Sequence, residues 1–313
     1  MERHLAICIV SWNTRKLLRQ CLESVFANLD GLDAEVIVVD NASEDSSAEM
    51  VEREFPDVTL IRSESNRGFA SANNLGLSRS SSKYFLLLNS DTIVLPGALR
   101  SLVEFMDAAP EAGAVAPKLL NLDGSLQRSC SSFPSPLTEL LDAVYLSKVF
   151  PRSRLFGRFA MSYWDFDAAR EVDFAGGSCL LLRRFALEQV GPLDESYFMY
   201  TEEADLCFRL KRAGWKVVFV PHARIIHIGG QSSKRRPVEM AVELPVSRHR
   251  FIAKFEGPVR AALFKGAVAL GGVCRLAVWG PWWLAANGRR SDVEQRLRTQ
   301  SALLKWALGG GRR

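Results

Sequence analysis

Paired cysteines are missing from this chain. Its six cysteines (Cys8, Cys21, Cys130, Cys179, Cys207 and Cys274) are scattered, and no two form a CxxC pair. That excludes a zinc ribbon and a disulfide framework and fits reduced, cytosolic thiols. Neither G-x-G-x-x-G nor G-x-x-x-x-G-K-[ST] occurs, so the dinucleotide fingerprint and the P-loop are both absent. Leu5 to Val10 is too short for the apolar region of a signal peptide, and Ser11-Trp12-Asn13 follows at once, so no leader is expected. A membrane-spanning helix needs about 20 apolar residues with few charges. The best run, Ala261 to Ala286, holds Lys265 and Arg275 and is interrupted by Gly271-Gly272 and Pro281. Internal repeats and low-complexity tracts are lacking. Nothing resembles a nucleic-acid recognition motif, so nucleic acid is not an expected partner.

What is present is a 313-residue chain, 48% hydrophobic, long enough for one large domain or a domain with an appendage. Its net charge of +5 hides an asymmetry. Residues 1–208 hold 19 Lys+Arg and 30 Asp+Glu, a net of −11, whereas residues 209–313 hold 21 and 5, a net of +16. A basic half of that size suggests an anionic surface as partner.

The first half alternates apolar runs with helical patterns. Leu5–Val10, Ala34–Val39, Val58–Ile61 and Phe85–Leu88 read as strands. Helices are predicted over about 15–28, with Thr14 as cap, and over 46–55, 66–79 and 96–108. This rhythm predicts an α/β fold with a doubly wound, mostly parallel sheet. Residues 121–170 break the rhythm and read as a long excursion, with an amphipathic piece at Leu137, Leu140, Leu141, Val144 and Tyr145. Strands at 178–182 and 215–220 and a helix at 202–213 complete the pattern.

Carboxylates stand where such sheets bind ligands, just past strand ends. Asp40 follows Val39, and Asp91 ends Phe85-Leu86-Leu87-Leu88-Asn89-Ser90-Asp91. The alternative for each is local: Asp40 as a helix cap and Asp91 as a turn residue. Asn66-Arg67-Gly68, opening a helix, is expected to offer backbone N–H groups and a guanidinium to phosphates. Glu202, Glu203 and Asp205 place three acids in one helical first turn, which suits the helix dipole. Glu202 beside Glu203 also raises the pKa of each, as a general base needs. His227, near Asp91 if the sheet forms as drawn, is a candidate second metal ligand.

These stretches resemble a known family. Ile9-Val10-Ser11-Trp12-Asn13, Val39-Asp40-Asn41-Ala42-Ser43, Asn66-Arg67-Gly68-Phe69-Ala70, Leu88-Asn89-Ser90-Asp91, Gly176-Gly177-Ser178, Asp194-Glu195, Glu202-Glu203-Ala204-Asp205-Leu206 and His227 occur in that order. Together they resemble the family 2 glycosyltransferases of the GT-A fold, in particular the bacterial rhamnosyltransferase-like branch, over about residues 4–255. The resemblance implies an inverting transferase that uses a dTDP- or UDP-sugar and Mg²⁺ or Mn²⁺. It implies Asp40 on the nucleobase, with Ser11, Asn13, Asn66, Arg67 and Asn89 around the nucleotide sugar. Asn89-Ser90-Asp91 stands where the family has its DxD, so Asp91 and His227 are the implied metal ligands. Glu203 holds the position of the catalytic base, with Glu202 beside it and Asp205 as rival, and Gly176 and Gly177 fall on the acceptor side. The Gln-x-x-Arg-Trp motif of processive synthases is missing, which favours transfer of a single sugar.

The expected organisation is a GT-A domain over 1–255 and a basic amphipathic helical tail over 256–313. On a helix, Arg260, Lys265 and Arg275 of the tail share one arc, and Trp279, Trp282 and Trp283 lie near its end. This predicts a helix in the membrane interface, anchored by Trp and Arg. The expected acceptor is a glycan or lipid-linked sugar of a cell-surface polysaccharide, and the expected location is peripheral, on the cytoplasmic face of the cell membrane. A sugar nucleotidyltransferase and a non-catalytic nucleotide-sugar or glycan-binding protein are the alternatives.

Overall fold

Parallel pairing gathers the polar ends of three apolar strands on one edge of the sheet. The computed structural model describes residues 3–230, 236–285 and 290–309, with side chains described outside 278–292. The chain opens with β1 (Leu5–Ser11), α1 (Arg15–Ala27), β2 (Ala34–Asp40), α2 (Ser47–Glu54), β3 (Thr59–Arg62), α3 (Gly68–Leu77) and β4 (Tyr84–Asn89). β1 pairs in parallel with both β2 and β4, with Ser11 opposite Asp40 and Val10 opposite Asn89. These strands are buried along nearly their whole length, which is why they read as unbroken apolar runs. Their side chains pack against Leu18, Leu22 and Val25 of α1.

The chain continues through β5 (Thr92–Val94), α4 (Ala98–Ala108), β6 (Ala112–Leu120), β7 (Leu126–Gln127) and β8 (Cys130–Ser131). After α5 (Pro136–Ala143) and α6 (Leu146–Val149) come β9 (Arg170–Glu171), β10 (Phe174–Ala175), β11 (Cys179–Arg183), α7 (Arg184–Val190), α8 (Glu202–Arg212) and β12 (Lys216–His227). The order across the sheet is β3-β2-β1-β4-β11-β6-β12-β5. Strand order reverses between β1 and β4, so the crevice beyond their carboxyl ends is the switch point where open α/β sheets take ligands. β11 runs antiparallel to both β4 and β6, so the sheet is mixed beyond β4.

Two expectations change locally. Thr14 does not cap α1 with its side chain. Its hydroxyl instead bonds Ser11 and Ser90, and Asp45 accepts from the Arg15 N–H. The strand expected to end at Val220 runs on to His227, past a register shift between Val220 and Arg224. Pro221 at that irregularity hides the continuation from the sequence pattern.

The chain divides into two compact units, residues 1–131 with 165–232, and residues 132–164 with 233–313. The excursion therefore groups with the C-terminal helices, and residues 233–255 fall in the second unit. That unit holds α5, α6, α9 (Pro237–Glu256), α10 (Pro258–Ala285) and α11 (Arg290–Ala307). α10 turns Ala261, Phe264 and Val268 inward. At Gly271 it passes so close to α5 that an added Cβ would stand 3.1 Å from the Ala143 Cβ. Its basic residues do not form a free arc. Arg275 pairs with Asp142 at 2.9 Å, Lys265 lies over the Trp306 ring, and Arg260 pairs with Glu256. The side chains of Trp279, Trp282 and Trp283 lie outside the described residues. No described helix is long and apolar enough to cross a membrane.

Candidate active site

The strand ends are tied to one another by side chains. Ser11, Thr14 and Ser90 form a buried chain of hydroxyls, with O···O distances of 3.0 and 2.8 Å, linking the end of β1 to the turn after β4. Asn13 adopts a left-handed backbone (φ 55°). Its N–H donates to Ser43 Oγ, and its Oδ1 accepts from the Glu44 N–H. Asn13 thus pins the loop that follows β2.

Asp40 is 4% exposed. One carboxylate oxygen accepts from the Ser43 N–H at 3.1 Å, whereas the other, Oδ1, is buried with no hydrogen-bond partner. Helix capping does not occupy it, because Asp45 takes the Ser47 N–H and hydroxyl. A buried carboxylate oxygen without a partner is costly. A ligand N–H would satisfy it.

Asn41, to which the sequence pattern gives no role, joins this loop to the next. It donates to Asn66 Oδ1 and accepts from the Arg67 N–H, both at 3.0 Å. The Gly68 N–H goes to Asn66 Oδ1, and the Phe69 N–H to the Phe198 carbonyl. The backbone N–H groups expected to meet phosphates at this helix start are therefore already engaged. What remains on offer is the Arg67 guanidinium, half exposed and 4.0 Å from Glu195.

Past β4, Asp91 and His227 converge. Their Oδ1 and Nε2 atoms are 3.2 Å apart, and both side chains are largely buried. The Asn89 amide nitrogen lies 3.4 Å from the same Nε2. Gln127 decides which ring nitrogen of His227 carries the proton. Its amide nitrogen donates to the His227 carbonyl and to Asn121 Oδ1, so its oxygen faces Nδ1 at 2.6 Å. Nδ1 is then the N–H, and a neutral ring presents a lone pair from Nε2 to Asp91. Two acceptors at that separation require a cation or a proton between them. Among the described residues no group of three or more His, Cys, Asp or Glu gathers as a metal site. A two-ligand set suits a divalent ion that takes its remaining oxygens from phosphates.

The acids of α8 separate. Glu202 is buried, and Asp205 is fully buried, accepting from Arg209 at 2.7 Å and from Tyr197 at 3.3 Å. Arg209 also donates to the carbonyls of Val190, Gly191 and Pro192. Asp205, expected as the rival base, is thus the anchor of a structural ion pair and has no surface for an acceptor. Glu203 is part exposed, and its Cβ would lie 3.9 Å from a Cβ built on Gly177. Ser178 next along accepts from the Asn89 N–H, and the Gly176 N–H donates to Ser129. Gly177 therefore bridges Glu203 and the Asn-Ser-Asp turn. Tyr200 and Thr201 lead into α8 with φ of 67° and 71°. Such left-handed conformations in non-glycine residues store strain, commonly at functional sites.

Residues 6–191 match the model of glycosyl transferase family 2. The chain is 31% identical over 251 residues to an N-acetylglucosaminyl-diphospho-decaprenol L-rhamnosyltransferase of Mycobacterium tuberculosis, covering 75% of this chain and 81% of that protein. It is 26% identical over 212 residues to a low-salt glycan biosynthesis hexosyltransferase of Haloferax volcanii, covering 66% of this chain and 62% of that one. A mannosyltransferase from Pyrobaculum calidifontis, solved with GDP-Man and Mn²⁺, superposes with a TM-score of 0.59 at 16% identity, over 100% of this chain and 89% of its own. GalNAc-T7 with UDP, GalNAc and Mn²⁺ gives 0.61 at 14%, over 98% and 56%. These two structures establish the likeness of fold, a central sheet with flanking helices of the GT-A type. The extent of the family match, together with the rhamnosyltransferase relative, assigns this chain to glycosyl transferase family 2.

Proposed function

We propose that this glycosyltransferase is inverting and metal-dependent, and that it moves one sugar from a dTDP- or UDP-sugar to a lipid-linked or glycan acceptor during cell-surface polysaccharide synthesis. The observation that carries the metal assignment is the pair of facing acceptors, Asp91 Oδ1 and His227 Nε2 at 3.2 Å. A bound Mg²⁺ or Mn²⁺ would neutralise the diphosphate leaving group. Asp91 and His227 would hold it, with Asn89 beside them. Asp40 offers its buried Oδ1 to the nucleobase N–H, and Ser11 and Asn13 shape that wall of the pocket. Asn66 and Arg67 border the nucleotide. Glu203 takes the proton of the acceptor hydroxyl as that oxygen attacks, with Glu202 behind it and Gly176-Gly177 lining the acceptor side. A single base acting on the face opposite the leaving group gives inversion.

The rhamnosyltransferase relative supports a deoxyhexose donor and a polyprenyl-linked acceptor. Nucleotide-sugar supply and six free cysteines support the cytoplasmic side of the membrane, with peripheral attachment. Transfer assays over a panel of nucleotide sugars test the reading. Asp91→Asn should abolish transfer and leave the melting temperature unchanged. Full activity of that variant, or of the wild type in excess EDTA, would sink the metal assignment.

A further inference from the structure

One outward stripe of α10 carries no charge. Val259, Leu263, Gly266, Leu270, Val273 and Ala277 are exposed. At 100° per residue they share an arc of about 80°. The stripe runs for about 27 Å along the helix at 1.5 Å per residue. Val259 and Leu263 are 73% and 61% exposed, so this face is uncovered rather than loosely packed. The helix's cations lie off the stripe, held by Glu256, Asp142 and the Trp306 ring. The sequence leads to Trp and Arg as the anchors of this helix, whereas the stripe is aliphatic and the helix's cations are engaged within the unit.

The charge of the surrounding unit indicates what covers the stripe. Residues 132–164 and 233–313 hold 20 Lys+Arg and 7 Asp+Glu, a net of +13. Two copies meeting here would bring together two strongly cationic bodies. An anionic bilayer takes the apolar side chains into its acyl boundary and meets the cations with its headgroups. We propose that α10 docks on an anionic membrane surface through Val259, Leu263, Leu270 and Val273. The proposal deepens the reading of a transferase with a lipid-linked acceptor and rests on it.

Deleting α10 is a poor test, because the helix also packs on α5, α9 and α11. Point substitutions on the full chain avoid that difficulty. Wild-type protein should co-sediment with phosphatidylcholine vesicles containing phosphatidylglycerol, and much less with phosphatidylcholine alone. High salt should weaken this binding without abolishing it. Leu263→Glu with Leu270→Glu should lower the partition about ten-fold or more, since two apolar contacts are lost. Leu122→Glu, at an equally exposed leucine of the first unit, should change nothing. Leu263→Ser with Leu270→Ser gives the same reading if the glutamate pair lowers the melting temperature. Vesicle binding equal to wild type in a folded double variant overturns the proposal. So does a wild-type dimer, by light scattering, that the double variant converts to monomer. Nucleotide-sugar binding, read by thermal shift, should be the same in wild type and double variant. Vesicle docking without any nucleotide-sugar binding would remove the catalytic reading and leave the docking face standing.

Discussion

At the scale of single residues, Glu203 and Asp205 have opposite fates although both open α8. They are two positions apart, about 200° around a helix, so when one faces inward the other faces out. Asp205 is the inward one, locked to Arg209. Asp205→Asn should therefore cost stability, about 3 kcal/mol for a buried pair that loses one partner. Glu203→Gln should leave stability nearly unchanged but lower turnover by about 10²–10⁴, with nucleotide-sugar binding retained. Urea unfolding and single-turnover kinetics on the two variants separate these outcomes, and an exchange of phenotypes would move the base to Asp205. Gln127 acts one step back, through the His227 ring it orients. Gln127→Leu should weaken Mn²⁺ binding about 10- to 100-fold, as loss of a ligand's hydrogen-bond partner does. A Mn²⁺ titration followed by magnetic resonance reads this without any turnover, and unchanged affinity would assign Gln127 to the fold alone.

Among the elements, the tie between the start of α3 and the loop before α8 matters most. Gly68 sits at φ 82°, and a Cβ there would stand 2.2 Å from the Phe198 carbonyl oxygen. Gly68→Ala should cost about 1–3 kcal/mol through backbone strain, and it should displace the Phe198 turn that leads to Glu203. A measured stability and turnover equal to wild type would show that this contact does not hold the loop. Such ties also explain what is legible in the sequence. β1, β2 and β4 are buried on both faces, so their apolar runs stand out, and Asp40 and Asp91 follow as the polar residues that end them. Glu203 and His227 emerge from motif order and not from periodicity. The roles of Asn41 and Gln127 are invisible there because their partners are distant in sequence, 100 residues away in the case of Gln127 and His227. β5, β7, β8, β9 and β10 have two or three residues each, too few for a period to register. Asp205 reads as a rival base because acids in a first turn look alike until the burial of the helix is known.

At the scale of the whole molecule, charge and burial divide between the two units. The first holds the strand ends and a net charge of −8 from 20 Lys+Arg and 28 Asp+Glu, and the second carries the positive charge. Five of the six thiols are buried, and burial pushes those of Cys8, Cys21, Cys130 and Cys207 up to about 12. The second unit is also built from two stretches of chain that are far apart, 132–164 and 233–313. On the ribosome, the first stretch emerges long before α9, α10 and α11 exist. At about 5–20 residues per second, synthesis of the rest of the chain takes roughly 7–30 s. Through that interval α5 lacks α10, its main packing partner, and Leu141 and Ala143, which are buried in the finished chain, stay uncovered. A nascent chain halted after residue 232 should be cut readily within 132–164 by a dilute protease, while the finished chain resists there. The order of synthesis thus makes the first unit ready early and leaves the segment that completes the second one waiting for the last helices.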